Sequence, residues 1–215
     1  MKRQLGLFGG SFNPIHNGHL HLAESVKEQL HLDGVLLMPA GEAPHKATAE
    51  YAPAQDRLAM CRLAAEQYDW MHASGYEIRK KGKSYTVETL RALNTACPET
   101  AWTLMIGSDM LLTFDTWFEW QEILQRARVC AVSREHGDLP QLREKAAEMQ
   151  KICPSAEILV LSVRAFPVSS TQIRQNLQKN ADCSCVLPEN VVQYIRERGL
   201  YGRSPNDRTD AEGSF

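Results

Sequence analysis

No stretch of the 215 residues comes near the ~20 consecutive apolar positions that a membrane-spanning helix needs. The opening MKRQLGLFGG carries basic residues, but its apolar run is too short for a signal peptide and ends in a glycine pair. An excess of charge of either sign is also missing. Lys and Arg number 24 against 26 Asp and Glu, a formal net charge of -2. The chain therefore has no general affinity for nucleic acid, and a charged ligand has to be met by local groups. Six cysteines are scattered at 61, 97, 130, 153, 183 and 185, without C-x-x-C spacing. Cys183-Ser184-Cys185 is the one close pair, and a lone C-x-C is a weak zinc signal, so the expectation is reduced thiols in a cytoplasmic protein. Neither G-x-G-x-x-G nor G-x-x-x-x-G-K-[ST] occurs, which removes two common nucleotide fingerprints.

What is present is an alternation of short and long apolar patterns. Leu5–Phe8, Val35–Met38, Trp102–Ile106, Val129–Val132 and Ile158–Leu161 are short runs bounded by breakers and predict buried strands, with Met71–Ile78 a weaker sixth. Between them, helical spacing links Leu20, Leu22, Ala23, Val26 and Leu30, then Leu58, Met60, Cys61, Leu63 and Ala64. The same spacing links Val87, Leu90 and Leu93, and later Leu142, Ala146 and Met149. Repeated β-α alternation predicts a single α/β domain over residues 1–203, a Rossmann-like doubly wound and mostly parallel sheet with helices on both faces. The closing SPNDRTDAEGSF, residues 204–215, is polar and patternless and is expected to be a flexible tail.

A doubly wound sheet binds ligands at the carboxyl ends of its strands. GGSFNPIHNGH, Gly9–His19, falls there, between the first strand and the first helix. Gly9 and Gly10 let a ligand approach the backbone, and the helix start offers free N–H groups to an anion. His16 and His19 lie three apart, on one side of a first helical turn. Taken singly, His19 reads as a partly buried core residue and His16 as a loop residue. As a pair they are harder to dismiss, because on this composition H-x-G-H arises by chance in roughly one such chain in seventy. Protonated rings at a helix N-terminus also oppose its dipole unless an anion sits there.

A second constellation, Val168-Ser169-Ser170-Thr171-Gln172-Ile173-Arg174, follows the last strand and opens another helix. Ser169 or Ser170 would serve as an N-cap. Arg174 lies on the unfavourable side of that helix's dipole. Hydroxyls, free N–H groups and a guanidinium at one helix start suit a polyphosphate. With the histidines they point to a nucleoside triphosphate held between two helix N-termini.

GGSFNPIHNGH together with VSSTQIR resembles the nucleotidyltransferase superfamily that shares H-x-G-H and a late S-S-T-x-x-R. Within it the chain is similar to the bacterial nicotinate-nucleotide adenylyltransferases, from Gly9 to about Gly202. More specific segments carry the likeness: MPAGEAPHK (Met38–Lys46), KSYTVETL (Lys83–Leu90), IGSDMLLTFDTW (Ile106–Trp117), AVSR (Ala131–Arg134) and LPENVVQYIRERGLY. Ala43 stands where such chains usually have the first proline of Pro-Pro-His-Lys, and Asn13 where Asp is also common.

The resemblance implies attack of the 5′-phosphate of nicotinate mononucleotide on the α-phosphorus of ATP, giving deamido-NAD and pyrophosphate. His16, His19 and Arg174 would then be catalytic. ATP would be met by Gly9, Gly10, Ser11, Phe12, Gly107, Asp109, Arg134, Ser169, Ser170 and Thr171 besides that trio. The mononucleotide would be met by His45, Lys46, Tyr85, Thr86 and Trp117. Mg²⁺ would be held mainly by ATP oxygens, without a protein cage. No nucleic-acid or membrane partner is implied, and a homo-oligomer is compatible with the sequence. Phosphopantetheine adenylyltransferases share both outer motifs but are typically shorter and lack segments like APHK and SYTVETL. Class I aminoacyl-tRNA synthetases share H-x-G-H but are longer. A non-catalytic nucleotide sensor would have less use for both histidines and the late arginine.

Overall fold

A computed structural model describes residues 2–41, 51–80, 82–133, 137–164 and 166–202. The chain runs β1 (Arg3–Gly10), α1 (Asn17–Gln29), β2 (Gly34–Pro39), α2 (Ala54–Ala65), β3 (Met71–Ala73), α3 (Tyr76–Arg79), α4 (Thr86–Ala96) and β4 (Thr100–Gly107). It continues with α5 (Ser108–Leu112), a 3₁₀ turn (Phe114–Thr116), α6 (Trp120–Arg126), β5 (Arg128–Ser133), α7 (Leu139–Ile152), β6 (Ile158–Ser162), α8 (Ser170–Gln178) and α9 (Glu189–Glu197).

The six strands form one parallel sheet in the order β3-β2-β1-β4-β5-β6. Strand order reverses between β1 and β4, where Leu7 pairs with Leu104 and Phe8 with Met105. At their carboxyl ends stand Gly9-Gly10 and Gly107, so both glycine-bearing segments open onto the switch point where such sheets take ligands.

The central strands are buried on both faces, which is why they read as unbroken apolar runs rather than alternating ones. Phe8, Leu37, Met105, Cys130 and Val132 face one core with α1, α2, α8 and α9, through Val26, Met60, Ile173 and Val191. Leu7, Met38, Leu104, Ile106 and Val129 face the other, with Leu90, Ile123, Leu142 and Met149 from α4, α6 and α7. Among the described residues no helix is long and apolar enough to cross a membrane.

Strand β3 is shorter than the Met71–Ile78 that the sequence pattern predicts. It ends at Ala73, and Tyr76–Arg79 turns into helix after Gly75. β3 is the sheet edge, with a partner on one side only. At Ser74-Gly75 the hydroxyl of Ser74 accepts the amide of Tyr76 at 3.2 Å, starting the turn. The tail 204–215 lies outside the described residues.

Candidate active site

The histidine pair sits at the first turn of α1. His16 is its N-cap, extended at φ -150° and ψ 169°, and only 3% exposed. The two imidazoles stack at 3.7 Å between centroids, 24° from parallel. The His16 amide donates to Nδ1 of His19 at 3.2 Å. An acceptor at Nδ1 assigns the proton of neutral His19 to Nε2, which is thereby the nitrogen available to donate. Phe12, at φ 44° and 1% exposed, packs edge-on to His19 at 5.1 Å and to Phe8 at 5.4 Å. His19 is partly buried beside the phenylalanines, as its single-residue reading has it, and His16 precedes the helix as a loop residue but is buried.

Gly18 has a specific task. A Cβ there would lie 2.8 Å from Cγ1 of Val168 and 3.1 Å from the His16 ring. The missing side chain lets His16 fold over the helix start and lets the segment before α8 come against α1.

That approach brings together residues more than 150 positions apart. Ser170 Oγ donates to the Pro14 carbonyl at 3.0 Å, and Arg174 Nη1 to the Asn13 carbonyl at 3.0 Å. Asn13 and Pro14 are joined by a cis peptide bond. Ser169 is the N-cap of α8, accepting the Gln172 amide at 3.2 Å. Thr171 Oγ1 is 3.4 Å from Arg174 Nη2. The convergence of the two motifs follows the sequence reading, as does an N-cap at Ser169, but the reading gave no main-chain partner to Ser170 or to the guanidinium. Ser170 and one arm of Arg174 instead hold the Asn13–Pro14 turn, while Ser169 and Thr171 are exposed. The dipole conflict at Arg174 is offset in part by a backbone carbonyl.

Further ties fix the same turn. Asn13 Oδ1 accepts from the Ala52 amide at 3.0 Å and from the Tyr201 hydroxyl at 2.8 Å. Asn17 donates its amide to Val186 at 2.9 Å and its side-chain Nδ2 to the Cys185 carbonyl at 3.3 Å. Cys185 and Val186 therefore serve as backbone anchors for the histidine helix.

Along β4, Gly107 caps α5, and Asp109 lies exposed in its first turn. A Cβ on Gly107 would meet Asp109 Oδ1 at 2.7 Å, so this carboxylate curls back over the strand end. The β4 end thus offers a carboxylate acceptor next to bare backbone, as ribose hydroxyls require.

On the α4 side, Tyr85 is an extended N-cap without a side-chain cap bond, followed by Thr86 at the first helical position. Trp117 is half-buried, one face stacked on core Phe114 at 4.8 Å and 26°. It is therefore both a core aromatic and a surface plate. Beside it Phe118, 50% exposed, leans on Tyr85, 38% exposed, at 4.8 Å. Phe118 went unread in sequence, although two consecutive aromatics after a glycine-ended strand were a usable signal.

An ion network ties the two aromatic-bearing segments together. Arg91 on α4 pairs with Glu119 and with Glu122 of α6, its Nε at 2.9 Å from Glu122 Oε1. Arg126 Nε reaches the same oxygen at 2.6 Å. The two guanidinium groups hold the Glu122 carboxyl down at about 2.

His45, Lys46 and Arg134 lie outside the described residues. Arg57, unread in sequence, is the largest fully buried side chain among the described residues. Its position in a helical run of apolar residues gave no hint of its partners.

A family model described as cytidylyltransferase-like matches residues 7–176. A probable nicotinate-nucleotide adenylyltransferase of Synechococcus sp. (strain JA-3-3Ab) is 40% identical over 205 residues, covering 93% of this chain and 95% of that protein. One from Neisseria meningitidis serogroup C is 37% identical over 200 residues, covering 93% and 98%. The fold is also that of a Plasmodium falciparum nicotinic acid mononucleotide adenylyltransferase complexed with NaAD. That structure matches with a TM-score of 0.73 at 14% identity, over 93% of this chain and 97% of the other.

Proposed function

The chain belongs to the cytidylyltransferase-like family and to its nicotinate-nucleotide adenylyltransferase branch, and we propose that it transfers AMP from ATP to nicotinate mononucleotide through the two joined helix starts. The products are deamido-NAD and pyrophosphate, a step of NAD biosynthesis. The observation that carries the site assignment is the bonding of Ser170 and Arg174 to the Pro14 and Asn13 carbonyls. It sets the N-terminus of α8 beside the stacked histidines, where one triphosphate reaches both.

The nucleophile is a phosphate that is already anionic, so no general base and no covalent enzyme intermediate are required. The difficulty is that two anions must meet in line. Catalysis is then positioning plus charge stabilisation. The Nε2 proton of His19 is the natural donor to the α-phosphate and bridging oxygen as charge builds there, with His16 supporting from the stacked ring. The departing pyrophosphate faces the α8 start, with the Ser169 and Thr171 hydroxyls, the helix-start N–H groups and the positive charge of Arg174. Gly9, Gly10, Ser11 and Phe12 line the backbone approach of ATP, and Asp109 takes ribose hydroxyls.

The pyridine ring is assigned to Trp117, with Phe118 and Tyr85 at its rim. Its carboxylate is assigned to the N–H groups of the Tyr85-Thr86 helix start. His45 and Lys46 are retained for the mononucleotide phosphate and Arg134 for the adenine side, on the family resemblance alone.

Magnesium fits this donor set as an ion carried on triphosphate oxygens and water, because hydroxyls, N–H groups and imidazoles dominate and Asp109 is the one carboxylate named at the strand ends. Its chemistry there would be to shield the charge of the leaving pyrophosphate. The protein mixed with ATP, Mg²⁺ and nicotinate mononucleotide should release pyrophosphate in step with deamido-NAD. Failure to form that dinucleotide with folded protein contradicts the proposal.

A further inference from the structure

Arg57 is only 2% exposed, yet no carboxylate pairs with it among the described residues. The adjacent acid, Asp56, is turned away to the Tyr194 hydroxyl at 2.7 Å and Arg198 Nε at 3.2 Å. Among the described residues, the four hydrogen-bond acceptors of Arg57 are all backbone carbonyls. Nε donates to Ala52 at 3.2 Å and Nη1 to Ser11 at 2.7 Å, while Nη2 serves Ala40 at 2.7 Å and Gly41 at 2.9 Å. The Tyr51 ring stands 5.3 Å from its Cζ.

Those carbonyls come from two connections at the ligand end of the sheet, β1–α1 and both ends of β2–α2. Ser11 belongs to the turn after β1, immediately before Phe12 and the histidine helix. Ala40 and Gly41 follow β2, and Tyr51 and Ala52 precede α2. Gly41 is wedged so closely that a Cβ would lie 2.5 Å from the Glu77 carbonyl. Two more bonds complete the brace, from the Ala40 amide to the Gly10 carbonyl at 2.9 Å and from the Ala52 amide to Asn13 Oδ1.

Filling this space is not reason enough for a guanidinium. An apolar side chain fills a buried site at less desolvation cost, and replacement of buried charges by apolar groups is often neutral or stabilising. What the guanidinium alone supplies is a planar fork of donors fixed relative to one another. Here that fork sets the ATP turn against both flanks of the segment between β2 and α2. A lysine ammonium can reach one or two of these carbonyls, but not the Ser11 turn and both flanks at once.

We infer that Arg57 is a positioning residue, fixing the Ser11 turn that approaches ATP relative to the Ala40–Gly41 and Ala52 flanks of the mononucleotide side. Its link to the second substrate rests on the function proposed above. It touches neither substrate and acts through backbone. A displacement of about 1 Å between the two reacting partners is enough to cost ~10²-fold in rate.

The test compares wild type, Arg57→Lys and Tyr51→Ala, each assayed well below its own melting temperature. In Arg57→Lys, kcat should fall and the KM for nicotinate mononucleotide should rise, each by ~10-fold or more. Calorimetric binding of ATP alone should change by less than the mononucleotide KM. Tyr51→Ala keeps the carbonyl bonds and should shift the same quantities in the same directions by less. Hydrogen exchange of the 9–16 and 51–53 backbone should quicken together in Arg57→Lys, with β5 unchanged.

A folded Arg57→Lys with a lowered melting temperature but wild-type kcat and KM would overturn the inference, since a merely structural arginine predicts that result. Should Arg57→Lys not fold, an unchanged mononucleotide KM in Tyr51→Ala overturns it instead. Wild type inactive on nicotinate mononucleotide would count against the proposed function. Arg57 would then be judged by exchange, where quickening of only one of the two segments refutes the brace.

Discussion

The backbone amide of His16 donates to Nδ1 of His19 at 3.2 Å while the two rings stack at 3.7 Å. One bond therefore orients the second histidine, selects its neutral tautomer and closes the first turn of the helix. The same ring caps a helix start and leaves its Nε2 proton as the proposed catalytic donor, so the two roles can be separated by experiment.

Removing that ring should cost chemistry far more than folding. His19→Ala loses a transition-state donor, and turnover should fall by ~10²-fold or more. Stability should fall by about 1 kcal/mol for the lost cap bond. Steady-state pyrophosphate release and a thermal melt check both. A folded variant within a few-fold of wild-type turnover would remove His19 from the mechanism.

Arg174 has a double expectation. Its guanidinium is proposed to meet the triphosphate, and it also donates to the Asn13 carbonyl at 3.0 Å. Arg174→Ala should weaken ATP and pyrophosphate binding. It should also lower stability by about 1 kcal/mol, the scale of one hydrogen bond. Read from the sequence, relief of the dipole conflict would have left stability unchanged or improved; the tie to Asn13 reverses that sign. Calorimetric titration with ATP and a thermal melt decide it, and normal ATP affinity with a lowered melt would make Arg174 purely structural.

Glu122 supplies a prediction with pH. Arg91 and Arg126 hold its folded-state carboxyl at about 2, below the ordinary 4.5. A depressed acid contributes stability above its unfolded value, lost as pH falls through the folded one. The α4–α6 tie should therefore persist at pH 5 and weaken between about 4.5 and about 2. Wild type should lose more thermal stability across that window than Glu122→Gln, which lacks the charge throughout. Parallel curves for the two proteins would show that the exposed network contributes nothing measurable.

How much of this was legible depended on whether the physical signal was local. β1, β2, β4, β5 and β6 were legible because strands buried on both faces must be apolar throughout. β3 was overextended because an edge strand needs few residues, and Ser74-Gly75 was not given its weight as a turn. α9 was missed although Val191, Val192 and Ile195 form a buried helical stripe after Pro188. The two motifs were legible as helix starts, whereas the bonds joining them were not. Arg57, Tyr201 and Arg174 find their partners in the Ser11–Asn13 turn, on main-chain carbonyls and the side-chain Oδ1 of Asn13, across 46, 188 and 161 positions. Main-chain carbonyls are the same at every residue and leave no mark in the sequence.

The pyridine side yields the most discriminating measurement, kcat/KM for nicotinate and for nicotinamide mononucleotide under identical ATP and Mg²⁺. The Tyr85-Thr86 helix start presents N–H donors and the positive end of the dipole, which suit a carboxylate and leave an amide NH₂ facing donors. Trp117, in the role proposed for it, would stack on either ring and would not choose between them. Burying donor against donor costs several kcal/mol, so nicotinate mononucleotide should be preferred by ~10²-fold or more. Comparable efficiencies, or a preference for the amide, would contradict both the helix-start assignment and the substrate drawn from it.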